Sequence, residues 1–246
     1  MSPQATPAAD ALLATWEAGL AAGNVSRALL LHAAARPAAA TAELMAVPVG
    51  QRDADLYELR AALFGDRMNV RVTCRQCAEE MEFDLAARRI AATEGASRDE
   101  FTVEHGEWNV RFRLPTTGDL AVAETAPAAR AATMLAERCV LAADRAGEAV
   151  EAGQLPEDVR QRVAAAAAEA DPRADVTLKV ACPSCGHQAA AELDIASYLW
   201  AELDAWARGT LLDVHLLATA YGWSEPEILA LSPLRRRYYL ELCADA

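Results

Sequence analysis

Asn69-Val-Arg-Val-Thr-Cys74-Arg-Gln-Cys77 and Val176-Thr-Leu-Lys-Val-Ala-Cys182-Pro-Ser-Cys185 are two versions of one unit. Each is a short alternating stretch running into a Cys-x-x-Cys pair. Each is followed by an acidic and apolar run, Glu82-Phe-Asp-Leu in the first copy and Glu192-Leu-Asp-Ile in the second. Apolar and polar residues that alternate over a few positions predict a strand. The unit therefore reads as strand, knuckle, strand and helix cap, with the return strand about two residues longer in the second copy.

Two residues between cysteines let one tight turn aim both sulfurs at a single ion, and zinc takes four thiolates in a closed tetrahedral site. One knuckle supplies half of that shell. Cys74, Cys77, Cys182 and Cys185 are accordingly the expected ligands of one structural zinc ion. Closing a loop of roughly 100 residues costs about 4 kcal/mol from its length, while structural zinc returns on the order of 10–16 kcal/mol in small peptides. His187, just beyond Cys185, is an alternative ligand, although four cysteines already complete the shell.

Two other chemistries compete. A redox dithiol wants a helix starting at the motif within a βαβ unit, whereas strand-like residues follow both pairs. Surface disulfides suit a secreted chain. Here Met1-Ser-Pro-Gln-Ala-Thr-Pro lacks a basic and apolar leader, and Cys139 and Cys243 sit in apolar helical contexts like reduced thiols. A reducing cytoplasm is the expected compartment.

The 246 residues are 53% hydrophobic, enough for a substantial core, and carry a net charge of −13. An acidic surface opposes nonspecific binding to nucleic acid, and no apolar run reaches the length of a membrane span. Neither nucleic acid nor membrane is an expected partner.

Helical spacing of Leu12, Leu13, Trp16 and Leu20 predicts a helix over residues 11–22 after a disordered lead, with a second helix to His32. Residues 33–42 are ambiguous. A clearer helix runs from about Asp53 to Phe64, stopped by Gly65, and a short one covers residues 85–92 after the first knuckle. Phe101-Thr-Val and Trp108-Asn-Val-Arg-Phe read as a hairpin around His105-Gly106. Pro115-Thr-Thr-Gly-Asp119 leads into an expected helix over residues 120–145, interrupted at Pro127. Residues 147–153 read as a linker and 156–170 as an alanine-rich helix with little to bury, so this stretch is expected to be an insertion or a mobile region. Asp194 caps a long apolar helix that stops at Tyr221-Gly222; Ser224-Glu-Pro-Glu227 is a capping box, and Pro233 opens a last helix.

Arg235-Arg-Arg237 invites a helix-turn-helix reading, but consecutive positions fan around a helix. The sequence contains no HExxH, GxSxG, P-loop or GxGxxG. Of four histidines, His32 and His215 lie on apolar helices, where core or boundary positions are expected, and His105 lies in a turn flanked by Glu104 and Glu107. A zinc held by four thiolates has no open position for catalysis, so no enzymatic activity is expected.

Taken in order, Leu59-Arg60, the first Cys-x-x-Cys with Glu82-Phe-Asp-Leu, Arg113-Leu-Pro-Thr-Thr-Gly-Asp-Leu, the second Cys-x-x-Cys-Gly with Asp194-Ile, Tyr221-Gly-Trp-Ser-Glu225 and Arg236-Arg-Tyr-Tyr-Leu240 resemble a known pattern. The chain is similar, over residues 50–246, to the zinc-knuckle baseplate (hub) assembly family of contractile phage tails and extracellular contractile injection systems. The Tyr-Gly-Trp-Ser-Glu segment is the most specific part. The resemblance implies a non-enzymatic structural or assembly protein, with zinc setting the fold and C-terminal helices docking baseplate or hub proteins through Trp223, Arg236, Tyr238 and Tyr239. The same aromatics would also suit a core between the last helices. By the same resemblance the protein resides in the cytoplasm or is carried in a phage-tail-like particle. From the cysteines alone, a zinc-ribbon regulatory module binding nucleic acid or a polymerase, or a dithiol redox protein, are the alternatives.

The expected fold is α+β, predominantly helical, with two knuckle hairpins joined in one zinc-ribbon-like site between N- and C-terminal helical parts. A single domain spans 1–246, divided into an N-terminal helical extension (1–50), a first knuckle unit (51–95), a hairpin and helical insertion (96–175), and the second knuckle with the C-terminal helices (176–246).

Overall fold

A computed structural model describes residues 7–96 and 98–244; the expected disordered lead falls mainly on residues 1–6, outside that range. Leu12, Leu13 and Trp16 on α1 (Ala9–Gly19) and Ala28, Leu31 and Ala35 on α2 (Asn24–Ala35) recur at helical spacing and are buried. Leu20 stays exposed. The last residue of α1, Gly19, has its backbone against the Trp200 ring, leaving no room for a Cβ. After α3 (Thr41–Ala46), α4 (Val49–Phe64) begins a turn earlier than expected, at Val49 rather than Asp53, with Pro48 as its N-cap. Its first turn is capped from far away: the Gly50 N–H donates to Asp171 Oδ2 at 3.0 Å. Gly65, at φ +90°, ends it.

β1 (Arg67–Thr73) and β2 (Glu80–Ala86) pair as the first hairpin and lead into α5 (Ala87–Ala91). β3 (Phe101–His105) and β4 (Trp108–Phe112) then form the hairpin expected around Gly106. Helix 120–145 is corrected. Residues here divide into α6 (Thr117–Glu124) and α7 (Ala128–Cys139), broken at Pro127, and then become β5 (Val140–Arg145). Val140-Leu-Ala-Ala has too little periodicity to choose, and pairing with β4, which sets Ala143 opposite Val110, decides for strand. Ala146 and Gly147, both at positive φ, turn the chain into β6 (Glu148–Ala149), which completes a four-stranded sheet in the order β3-β4-β5-β6.

A 3-10 turn at Ala152–Gln154 leads to α8 (Glu157–Ala170). Val159 and Val163 of α8 join Leu155, Val103, Val110, Phe112 and Ala143 in a small core of their own. The stretch expected to have little to bury is therefore packed onto a sheet.

β7 (Thr177–Ala181) and β8 (Gln188–Glu192) form the second knuckle hairpin, followed by α9 (Ile195–Tyr221), α10 (Glu225–Leu229) and α11 (Pro233–Ala244). The return strands reverse the expectation: β2 has seven residues and β8 five. Strand β2 runs on through Asp84 to pair Ala86 with Arg67, whereas β8 stops because Asp194 turns to cap α9, accepting from the Ala196 and Ser197 amides. Gly222 in the left-handed region and the Ser224–Glu227 capping box end and restart the helices as expected.

The largest core unites the two ends of the chain. Side chains of α1, α2 and α4 pack with Ile195, Leu199, Trp200, Leu203 and Ala207 of α9, and the cluster includes Met68 and Ala87 at the base of the first knuckle and Leu193 at the base of the second. Arg60, 4% exposed, braces this junction. It donates to the Gly65 and Arg67 carbonyls at 2.7 Å and forks onto Glu202 of α9 at 2.6 and 2.9 Å.

Candidate metal centre

Both knuckle hairpins grow from the same core, so they run side by side and their tips meet. Cys74, Cys77, Cys182 and Cys185 converge there, with all four sulfurs within 4.8 Å of one another. Two of the separations cross between knuckles: Cys74 to Cys185 at 3.7 Å and Cys77 to Cys182 at 3.5 Å. A tetrahedron with zinc–sulfur bonds of about 2.3 Å has edges of about 3.8 Å. Disulfides, at about 2.05 Å, require sulfurs far closer than these. The donor set thus fits zinc. Four sulfurs form the only such cluster among the described residues, and the His187 ring is not part of it.

The two knuckles share one backbone design. In each, the amide of the first cysteine donates to a carbonyl five residues on (Glu79, His187), and the first cysteine's carbonyl accepts from the amide four residues on (Ala78, Gly186) at 2.9 Å. That fourth position is left-handed in both, with φ +59° at Ala78 and +71° at Gly186. Alanine pays about 1–2 kcal/mol there, partly offset by glycine's larger unfolded entropy of about 0.4–1 kcal/mol. Ala78→Gly is accordingly expected to stabilise by about 0.5–1 kcal/mol, and Gly186→Ala to destabilise by as much. Thermal denaturation with the metal bound measures both; equal effects of one sign would contradict the shared turn.

Backbone amides also serve the sulfurs. Amides of Cys77 and Gln76 draw the Cys74 thiol down to about 6. At Cys77 the Glu79 amide favours the thiolate, but crowding by the Cys185 and Cys182 sulfurs outweighs it and pushes the thiol up to about 12. A divalent cation among the four would reverse that crowding and hold them all as thiolates. Behind the sulfurs, Val72 and Met81 of the first hairpin pack with Val180, Ala189 and Ala191 of the second. Cys74 and Cys182 are buried, while Cys77 and Cys185 face solvent.

A family model described as T4 bacteriophage base plate protein matches residues 37–197, about two thirds of the chain. The chain belongs to this baseplate family of contractile phage tails. The match spans both knuckles and the central sheet. It ends in the first turn of α9, so the Tyr221-Gly-Trp-Ser-Glu225 segment, the most specific part of the resemblance, lies beyond it. No curated protein and no solved structure matches.

Within this baseplate protein, the Arg113-Leu-Pro-Thr-Thr-Gly-Asp-Leu motif builds a joint. Asp119, 1% exposed, accepts from Arg113 at 2.6 and 3.0 Å, from Arg138 at 2.9 Å, and from the Thr116 amide and hydroxyl at 3.0 and 2.8 Å. Arg138 was not singled out by sequence, since it lies on another helix. Beside the joint is an apolar cavity of about 570 Å³ between the helical core and the central sheet, with Arg52, Asp53 and Asp171 at its edge. Burial pushes the Asp53 carboxyl up to about 6 against the pull of Arg52.

The four residues expected to meet partners divide. Arg236 is 7% exposed and turns toward Asp213 of α9 at 3.8 Å, so it braces α11 instead of facing solvent. Trp223 and Tyr239 pack edge to face with centroids 4.9 Å apart, and Tyr221 stacks on Trp223. Tyr238 points outward, 61% exposed. His32 is a core histidine, fully buried, with Nε2 at 3.1 Å from Asp55 Oδ2 and Nδ1 without a hydrogen-bond partner; His215 is exposed, contrary to expectation, on the outer face of α9. No described helix is long and apolar enough to cross a membrane.

Proposed function

We propose that this chain is a non-enzymatic structural or assembly protein of a contractile phage-tail-like baseplate, folded as one unit around a zinc clasp and docking other baseplate proteins through its C-terminal helices. The observation that carries the reading is the family match across both knuckles. The zinc assignment to Cys74, Cys77, Cys182 and Cys185 draws support from their sulfur separations. Docking draws support from apolar surface: Leu212, Leu216, Leu234, Tyr238 and Leu242 are all more than 40% exposed on α9 and α11. Trp223 and Tyr239 hold those helices together, and Tyr238 is the aromatic free to meet a partner.

Deleting the gene in a strain that makes contractile particles tests this. The expected result is loss of assembled baseplates in electron micrographs, restored by the intact gene. Normal, contracting particles in its absence would refute the reading. Mass spectrometry of purified particles separates a resident component from an assembly factor that leaves.

A further inference from the structure

The outer face of α11 carries a symmetric pattern. Arg236, Tyr239, Leu240 and Cys243 turn inward, while Leu234, Arg235, Tyr238, Glu241 and Leu242 are exposed. Leu234, Tyr238 and Leu242 follow one another at four-residue spacing, at 66%, 61% and 61% exposure, and form one stripe. The stripe is symmetric about Tyr238 in its apolar residues, with leucine four positions to either side. It is antisymmetric in its charges, with Arg235 three positions before and Glu241 three positions after.

A two-fold contact requires that if one residue meets another, the reverse also holds. Two copies of α11 crossing antiparallel at Tyr238 satisfy that requirement: Leu234 of each copy meets Leu242 of the other, and Arg235 of each meets Glu241 of the other. A parallel arrangement would set like charges together. Arg237 already reaches Glu241 within the chain at 3.0 Å, an exposed and weak pair that leaves the carboxylate free to accept a second guanidinium.

We propose that the first occupant of this stripe is a second copy of the same chain, giving a two-fold dimer through α11. This rests on the reading of the C-terminal helices as the docking surface and names what covers it. A helix of 12 residues buries less than the roughly 800 Å² per partner of a standard interface, so the dimer is weak and concentration-dependent.

Sedimentation velocity over a concentration series of the full, metal-loaded chain tests it. The wild type is expected to shift from monomer to dimer. Leu234→Glu and Tyr238→Glu are expected to remain monomeric with unchanged far-UV spectra, since both positions are exposed. Arg235→Glu and Glu241→Arg singly are each expected to weaken association about tenfold, by replacing attraction with repulsion at both symmetry-related pairs. The double variant R235E/E241R restores both symmetry-related pairs between copies with reversed sign, losing only the exposed Arg237–Glu241 contact within each chain, and is expected to dimerise like the wild type. A wild type that stays monomeric throughout, or a double variant as defective as the singles, overturns the proposal. A monomeric wild type whose Leu234→Glu variant no longer supports particle assembly would assign the stripe to a different baseplate protein, ending the dimer proposal while the assembly reading stands. A dimer lost in Leu234→Glu with assembly unaffected would uphold the dimer and remove the stripe from assembly.

Discussion

Chelating the metal under reducing conditions is expected to release about one zinc per chain and to open both knuckle hairpins while the helical core stays folded. An isolated two-stranded hairpin is marginal in water, and the cluster behind the sulfurs is small: Val72, Met81 and the two buried cysteines, with a few half-buried neighbours. Without a cation those four thiols only crowd one another. The bases of the hairpins are different, because Met68, Ala87, Leu193 and Ile195 belong to the main core. Far-UV helical signal is therefore expected to persist, whereas amides of Val70–Thr73 and residues 177–192 lose protection from hydrogen exchange. Full structural-zinc energies, on the order of 10–16 kcal/mol in peptides that have no other core, set an upper bound for the loss. Cys74→Ser is expected to reproduce chelation, and Cys243→Ser, half-buried on α11, to leave the metal in place. A metal-free chain with fully protected hairpins would contradict the clasp.

The second large effect is expected at Asp119. Truncation to alanine leaves Arg113 and Arg138 without their shared carboxylate and removes the half of the α6 capping box in which Asp119 accepts from the Thr116 amide. Breaking a buried pair by deleting one member costs about 3–5 kcal/mol. The lower end is expected, about 3 kcal/mol, because both arginines keep 31% and 41% of their side chains accessible and can be rehydrated. Chemical denaturation of wild type and variant measures it.

The same carboxylate has a pH signature. Burial alone would raise Asp119, but the Arg113 hydrogen bonds and the Thr116 amide and hydroxyl hold it well below the usual carboxylate range. A depressed folded value contributes stability above the unfolded value of about 3.9, and that contribution is lost as pH falls below it. Asp53 works the other way. Its folded value of about 6 lies above the unfolded one, so the folded state takes up a proton first and gains stability as pH falls from neutral toward about 4. The deficit of Asp119→Ala is thus expected to shrink below about pH 4, and Asp53→Asn to flatten the mildly acidic rise. Comparing variants at one pH cancels the common loss of metal as thiols protonate.

Much of the site was legible because its determinants are local. Each Cys-x-x-Cys is a short turn between alternating strands, and Asp194, Gly222, Ser224 with Glu227, and Pro233 are signals written within a few residues of the helix ends they govern. β5 was not legible. Val140-Leu-Ala-Ala carries neither period, and only a neighbouring strand with buried Val110 and Phe112 makes it a strand. The start of α4 was misplaced for a similar reason, since the carboxylate that caps it, Asp171, lies 121 residues away.

Sequence by itself determined which four cysteines come together, the repeated hairpins and the helical ends, since spacing, turn chemistry and capping act over a handful of residues. It also left the C-terminal aromatics suspended between core and docking surface. Only the tertiary structure separates them by exposure. Trp223 and Tyr239 turn inward, Arg236 is spent on Asp213, and Leu234, Tyr238 and Leu242 are left facing water. It likewise decided that the cysteine pairs meet at all. A loop of about a hundred residues has no local reason to close, and it closes here because α1, α2, α4 and α9 bury one apolar core from whose edge both hairpins emerge.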